Sequence, residues 1–276
     1  MAEEEIGSST SPPGERRRNH LIRWFVLASA GVLILATALI WQTIRQRAAN
    51  ATTCVDHVKK IVLAMHAYHD TLGTFPPAYL ADRAGRPIHS WRVMLLPFLG
   101  ERSLYNKYRF DEPWDGPHNR ELASQMPAVF RCPADRGDPN STSYLVVTGE
   151  GTVFPGTRPR RFTDVVDGSA NTILFVEATD SQINWMEPRD LTYDQAVGGI
   201  NPLNGKGISS RHGNFAMVAN VDGSIWMLPE SVSRDTLRKL LLCNDGEVVP
   251  DFGRPQGSAI ETPKAPDRPT EGAVYK

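Results

Sequence analysis

"WFVLASAGVLILATALIW", residues 24–41, runs for eighteen positions without a charged side chain and, as a helix, would extend about 27 Å. That length approaches the ~30 Å hydrocarbon thickness of a bilayer. Trp24 and Trp41 bracket the run where aromatic belts sit, with Arg23 before it and Arg45 and Arg47 after it. The pattern predicts a transmembrane helix over 21–45. A cleaved signal peptide would have a shorter apolar core followed by small residues, whereas residues 42–47 are bulky and charged. Arg16, Arg17, Arg18 and Arg23 form the tighter basic cluster. They place the N-terminus in the cytoplasm and the bulk of the chain outside it, as a single-pass protein of the inner (cytoplasmic) membrane. Residues 1–20, rich in Ser, Pro and acidic residues at their start, read as a disordered cytoplasmic tail.

Beyond the run, residues 42–53 contain neither Pro nor Gly, and Val58, Ile61, Val62, Met65 and Leu72 recur at helical spacing. The helix is therefore expected to continue from 19 to 72, on the order of 80 Å. Gly73, Pro76 and Pro77 end it. "SWRVMLLPFL" (90–99) fits either helix or strand, a short helix follows around 101–108, and Asn119 is placed to cap another. "TSYLVVTG", "NTILFVEA" and the run at 209–230, "SSRHGNFAMVANVDGSIWMLPE", read as strands separated by turn residues. Ser233 caps a final helix that Asn244, Asp245 and Gly246 terminate. Residues 250–276 hold five prolines and read as a disordered tail, leaving 46–249 as the folded domain. The fold class is α+β, a long N-terminal transmembrane helix continuing into a domain with an antiparallel sheet.

Thirty basic against thirty-one acidic residues among 276 give no electrostatic footprint for nucleic acid. Three cysteines allow at most one intramolecular bridge, and no C-x-x-C spacing is present.

"CVDHVKKIVLAMHAYHDTLGTFPPAY" (54–79), "SWRVMLLPFL", "EPWDGPHN", "FRCPAD" (130–135), "TSYLVV", "DGSANTILFVE" and the spacing from His212 to Asp222-Gly223 occur in this order. Together they resemble the prepilin-like family of unknown function with a C-terminal H-(nine residues)-DG motif, expanded in planctomycetes. The resemblance runs from about residue 54 to 249. It implies a type IV pilin-like fold, with the distal half of the long helix packed on an antiparallel sheet, and no established enzymatic chemistry. The prepilin cleavage junction is not matched, because "NHLIRWFVLASA" has no Gly before the apolar run and no Glu within it. An uncleaved anchor is the simpler reading.

Asp222-Gly223 falls where a two-residue type I′ hairpin turn needs it. His212, the family-motif histidine, would then sit at the far strand end, roughly 30 Å from Asp222. A direct His–Asp catalytic pair is thus not expected. His66 and His69, three apart on the helix, and Asp111 and Asp115, with Glu112 and Asn119, are the candidate metal ligands. Glu177, Asp180, Glu187 and Asp190 are the carboxylates a hydrolase would draw on. Trp114, Trp185, Glu187 and the loop 198–207 are the candidate ligand-binding surface. Cys54, near the packed helix face, and Cys132, at a chain turn, are expected to form a disulfide, with Cys243 a buried free thiol. No phosphate-binding loop, G-x-S-x-G elbow or H-E-x-x-H occurs, and no cofactor is expected. The chain reads as a non-enzymatic, membrane-anchored, extracytoplasmic structural or interaction module with envelope protein partners. A ligand- or solute-binding domain is the alternative, and a hydrolase the third reading.

Overall fold

The computed structural model describes residues 13–203, 205–247 and 249. The tail expected over 250–276 lies outside the described residues, as do residues 1–12, whereas 13–20, expected to be disordered, are helical. The chain divides into two compact units, Met1–Ala49 and Asn50–Lys276.

One helix, α1 (Pro13–Leu72), opens the fold. Proline suits its first turn because the missing N–H would have had no partner there. In the first unit, Trp24, Leu33, Ile34, Leu35, Ile40 and Trp41 are all exposed. The hydroxyls of Thr37 and Thr43 donate back to the carbonyls of Ile34 and Ile40 at 2.8 and 2.7 Å, so they add no unpaired donor to that surface. Among the described residues no helix is long and apolar enough to cross a membrane. The span expected over 21–45 is therefore not shown; the side chains of residues 21–23, 26 and 28 within it lie outside the described residues.

In the second unit Cys54, Val58, Ile61, Val62 and Met65 are buried on one face of α1, as their spacing predicts. Leu72, assigned to the same stripe, is exposed instead. Gly73 ends the helix at φ 78°, its N–H reaching the His69 carbonyl at 2.7 Å, a left-handed cap that glycine adopts without strain.

The following strands and helices are β1 (Tyr79–Ala81), β2 (Pro87–Ser90), α2 (Trp91–Met94) and α3 (Arg102–Lys107). Then come β3 (Tyr144–Leu145), β4 (Val147–Thr148), β5 (Ile173–Glu177), β6 (Leu191–Thr192) and α4 (Tyr193–Ala196). β7 (Phe215–Asn220), β8 (Ile225–Pro229) and α5 (Arg234–Leu241) complete the fold. The central sheet has the order β3-β5-β7-β8 and is antiparallel throughout. β1 pairs with β2 antiparallel, whereas β4 and β6 are parallel. Tyr144, Phe175, Met217 and Ala219 join the core formed with the buried stripe of α1. Ala216, Val218, Trp226 and Leu228 join a second core with Leu237, Leu240 and Leu241 of α5. Strand alternation thus gives one sheet two apolar faces, one under each helix.

Several local readings are resolved. "SWRVMLLPFL" is helical, with Ser90 accepting the Arg92 N–H at 3.2 Å as the cap of α2, and a 3₁₀ turn at Leu96–Leu99. Asn119 does not cap; it is buried, its Oδ1 takes the Arg109 N–H at 2.9 Å and its Nδ2 donates to the Arg109 carbonyl at 2.7 Å. Ser233 caps α5 as expected, accepting the Thr236 N–H at 3.0 Å.

The β7–β8 hairpin forms, with Ala219 opposite Ile225, but its turn is not type I′. A I′ turn needs positive φ at both central residues, and Asp222 is not among the described non-glycine residues with positive φ; Gly223 is at 89°. Asn220 accepts the Gly223 N–H at 2.9 Å and donates to the Ser224 carbonyl at 2.8 Å, so Val221, Asp222 and Gly223 form a three-residue loop. The reason is docking. His66 Nε2 lies 2.9 Å from the Val221 carbonyl, and a Cβ at Gly223 would stand 3.3 Å from Val62 and 3.4 Å from His66. Gly223→Ala combines a left-handed φ with that contact, and is expected to cost about 1–2 kcal/mol in chemical unfolding. A stability equal to wild type would show that the loop is not held against α1.

Candidate functional site

Four side chains from four chain segments meet beneath α1. Cys54 comes from the buried stripe of the helix. Cys132 follows the 3₁₀ turn Ala128–Phe130; its N–H donates to Ser143 Oγ at 3.0 Å, and that hydroxyl donates to Asp135 Oδ2 at 2.6 Å. Glu177 ends β5, directly opposite Tyr144, and alternation with Phe175 turns it toward the α1 face. His212 lies just before β7, where its N–H donates to Ser210 Oγ at 3.2 Å.

The atoms converge closely. Cys132 Sγ is 3.0 Å from His212 Nε2, and Glu177 Oε1 is 3.7 Å from the same nitrogen. Cys54 Sγ is 3.7 Å from Glu177 Oε1 and 3.0 Å from the Tyr144 hydroxyl. One ligand atom from each of Cys54, Cys132, Glu177 and His212 lies within 4.8 Å of the others. Cys54, Cys132 and Glu177 are 0% exposed, and the His212 side chain is 3% exposed.

Crowding ligand atoms in a buried space separates their acidities. The neighbouring Cys54 side chain lowers the Cys132 thiol to about 4, with burial opposing and His212 assisting. Cys132 beside it, then burial and Glu177, drives the Cys54 thiol far above its usual range. Glu177 is raised well above a normal carboxylate by burial, and then by the Cys132 charge. Burial likewise raises Tyr144.

A Cys–His–Glu set invites comparison with a nucleophile–base–acid triad. In such a triad the acid orients the imidazole through one nitrogen while the nucleophile uses the other. Here Cys132 and Glu177 both address Nε2, and the sulfur has no exposed surface. The geometry is convergence on one point, which is what metal ligation needs.

The sequence-derived sites fare differently. The expected Cys54–Cys132 bridge is not formed: all three cysteines are free and buried, and each of these two sulfurs has a separate polar neighbour, Tyr144 or His212. His66 and His69 do not make a metal pair. His66 meets the Val221 carbonyl, His69 Nε2 accepts the Phe162 N–H at 3.3 Å, and both rings pack against Phe75 and Phe162. Asp111 and Asp115 are exposed and gather no ligand set among the described residues; Glu112 is used locally, accepting the Asn119 N–H at 2.6 Å. Trp185 is fully buried, stacked on Phe130 and bonded through Nε1 to the Ala123 carbonyl, so it offers no ligand platform. Trp114 is half-buried against the same core, and Glu187 pairs with Arg189 at 2.6 Å. Asp190 is buried against Arg92 at 2.5 Å. Glu177, weighed only as a hydrolase carboxylate, is the residue sequence reasoning misplaced. Its signal was a charge at an inward position of an otherwise apolar strand.

A separate surface hollow of about 770 Å³ borders part of the loop 198–207. Its lining includes Asp180, Gln182 and Asn201, the non-glycine residues with positive φ among those described.

Residues 42–158 match the model of a family described as a protein of unknown function, DUF1559. The DUF1559 match includes Cys54 and Cys132 and ends before Glu177 and His212. No curated protein and no solved structure matches the chain.

Proposed function

We propose that this chain is a membrane-anchored, extracytoplasmic module with a pilin-like fold, acting structurally or through envelope protein partners rather than as an enzyme. One observation carries the reading: the charge-free run at 24–41 and the buried stripe from Cys54 to Met65 belong to the same helix, α1. A helix continuing from an apolar run with exposed side chains into a packed face suits an element inserted in lipid at one end and built into a domain at the other. The guanidinium of Arg45, 5.3 Å from the Trp41 ring centroid, suits a membrane–water boundary. The closed cluster beneath α1 supports a structural role, since its sulfurs have no exposed surface to offer a substrate.

Expressed in a Gram-negative host, the full chain should remain in the membrane after alkaline carbonate extraction, and protease added to spheroplasts should digest its C-terminal part. Ile34→Arg, costing about 2.5–3.5 kcal/mol of insertion free energy at mid-span, should reduce that retention. Release of the wild type by carbonate, or digestion only after lysis, would rule out the anchored, outward-facing reading.

The alternative of ligand binding draws support from the hollow beside 198–207, because backbone held in a sparsely populated conformation clusters at binding sites. Native mass spectrometry of the detergent-solubilised chain should then find a small molecule lost on Arg211→Ala, which removes the guanidinium paired with Asp180. A bare chain in every preparation would count against it.

A further inference from the structure

We propose that Cys54, Cys132, Glu177 and His212 bind one zinc-class divalent cation as a structural site that fastens α1 to the sheet. Two sulfurs, one imidazole nitrogen and one carboxylate oxygen form a donor set suited to zinc. Zinc holds sulfur at about 2.3 Å and nitrogen or oxygen at about 2.0–2.2 Å, which in a tetrahedron sets neighbouring ligand atoms about 3.3–3.8 Å apart. The edges here are 3.0 Å from Cys132 Sγ to His212 Nε2, 3.7 Å from His212 Nε2 to Glu177 Oε1 and 3.7 Å from Cys54 Sγ to Glu177 Oε1. The other three edges lie within 4.8 Å, so a contraction of up to roughly an ångström closes the tetrahedron.

Charge supports the same assignment. Among the described residues, the only ion-pair partner of the fully buried Glu177 is His212. Ionising a carboxylate in that position is costly without a counter-charge, which a divalent cation between the four ligands would supply. The Tyr144 hydroxyl, 3.0 Å from Cys54 Sγ, is placed to donate to a metal-bound thiolate and hold it in position. Four protein ligands and almost no exposure leave no open coordination position, which marks a structural rather than a catalytic centre. Loading releases to solvent whatever protons the four ligands still carry, without changing the oxidation state of sulfur. The ligands come from the helix, the loop after the 3₁₀ turn, the end of β5 and the approach to β7, so one ion would join segments far apart in sequence.

The test is cobalt titration of the full chain in mild detergent, reduced and stripped with chelator. The expected result is one cobalt per chain with thiolate-to-cobalt absorption and a tetrahedral visible band, displaced by zinc, and a zinc-dependent rise in melting temperature. Cys132→Ser should lose much of the thiolate absorption. Glu177→Gln, nearly isosteric and checked for folding by circular dichroism, should weaken binding by at least about 100-fold, beyond the ~10–100-fold typical of outer partners. Cys243→Ala should leave the titration unchanged. The wild-type titration decides the matter even where a variant fails to fold. A folded, reduced wild type without thiolate–cobalt absorption would overturn the site. So would a Cys54–Cys132 disulfide in protein taken directly from membranes, or a folded Glu177→Gln variant with wild-type affinity.

Discussion

Asp190→Asn is expected to destabilise the domain by about 3–5 kcal/mol, because it strands a charged guanidinium inside the protein. Arg92 is fully buried, and its Nη2 lies 2.5 Å from Asp190 Oδ1. The same carboxylate oxygen accepts the Trp91 indole N–H at 3.1 Å and the Val146 N–H at 3.0 Å. Arg92 also donates through Nε and Nη2 to the Tyr144 carbonyl, at 3.2 Å each, and through Nη1 to Ser90 Oγ at 2.8 Å. The asparagine can still accept hydrogen bonds but cannot neutralise the arginine. Burial pushes the Asp190 carboxyl up to about 6 even with Arg92 beside it. Its folded pKa is therefore above its ordinary value of 3.8, so the stabilisation linked to this group is complete below that value and is lost as pH rises through about 6. In Arg92→Met the carboxyl loses its cation and is raised further, so that variant should show a larger deficit at about pH 8 than at about pH 5. The double variant Arg92→Met with Asp190→Leu should recover much of the loss, since two apolar side chains leave no orphaned charge. Urea unfolding at two pH values measures all three; a deficit below about 1 kcal/mol for Asp190→Asn would show that the arginine is not held charged in the core.

How much of this was legible beforehand depended on the range of the signal. The α+β class, the course of α1 through Met65, its stop at Gly73 and the β7–β8 pairing all follow from local periodicity and turn chemistry. The identity of the loop at 221–223 did not, because a three-residue loop and a two-residue I′ turn share the Asp-Gly signature. What separates them is the approach of Val62 and His66 from a helix about 160 residues away in sequence, a tertiary contact that no local pattern encodes. The candidate site was legible only in fragments. Cys54 and Cys132 lie close together, but chemistry confined to cysteines suggests a disulfide, and no spacing in the sequence identifies the neighbours of His212. Ligands contributed singly by four distant segments have no spacing motif, so convergence appears only in three dimensions. His66 and His69, three apart on α1, had the spacing and lacked the environment: both rings are packed among phenylalanines.

Trp185 makes the same distinction testable by stability. From sequence, a tryptophan beside Glu187 reads equally as a solvent-facing platform or as core; its ring is 0% exposed and stacks on Phe130 with centroids 6.3 Å apart, so it is core. Its indole N–H donates to the Ala123 carbonyl at 3.0 Å, and its own backbone N–H donates to the Asn140 carbonyl at 3.1 Å. The ring thus links the loop before β6 to the region preceding Cys132. Trp185→Ala leaves a cavity where the surrounding side chains relax only partly, and is expected to cost about 3–5 kcal/mol. Trp185→Phe keeps most of the apolar volume and loses the indole hydrogen bond, leaving the Ala123 carbonyl unpartnered, and should cost about 1–3 kcal/mol. A surface platform would behave the other way, with both changes within about 0.5 kcal/mol of wild type and any ligand affinity lost instead. Since Phe130 precedes the ligand loop by two residues, Trp185→Ala should also loosen Cys132. In the cobalt titration proposed above, that variant should bind more weakly than Trp185→Phe although neither change touches a ligand; equal affinities would show that the ring supports the core without holding the loop.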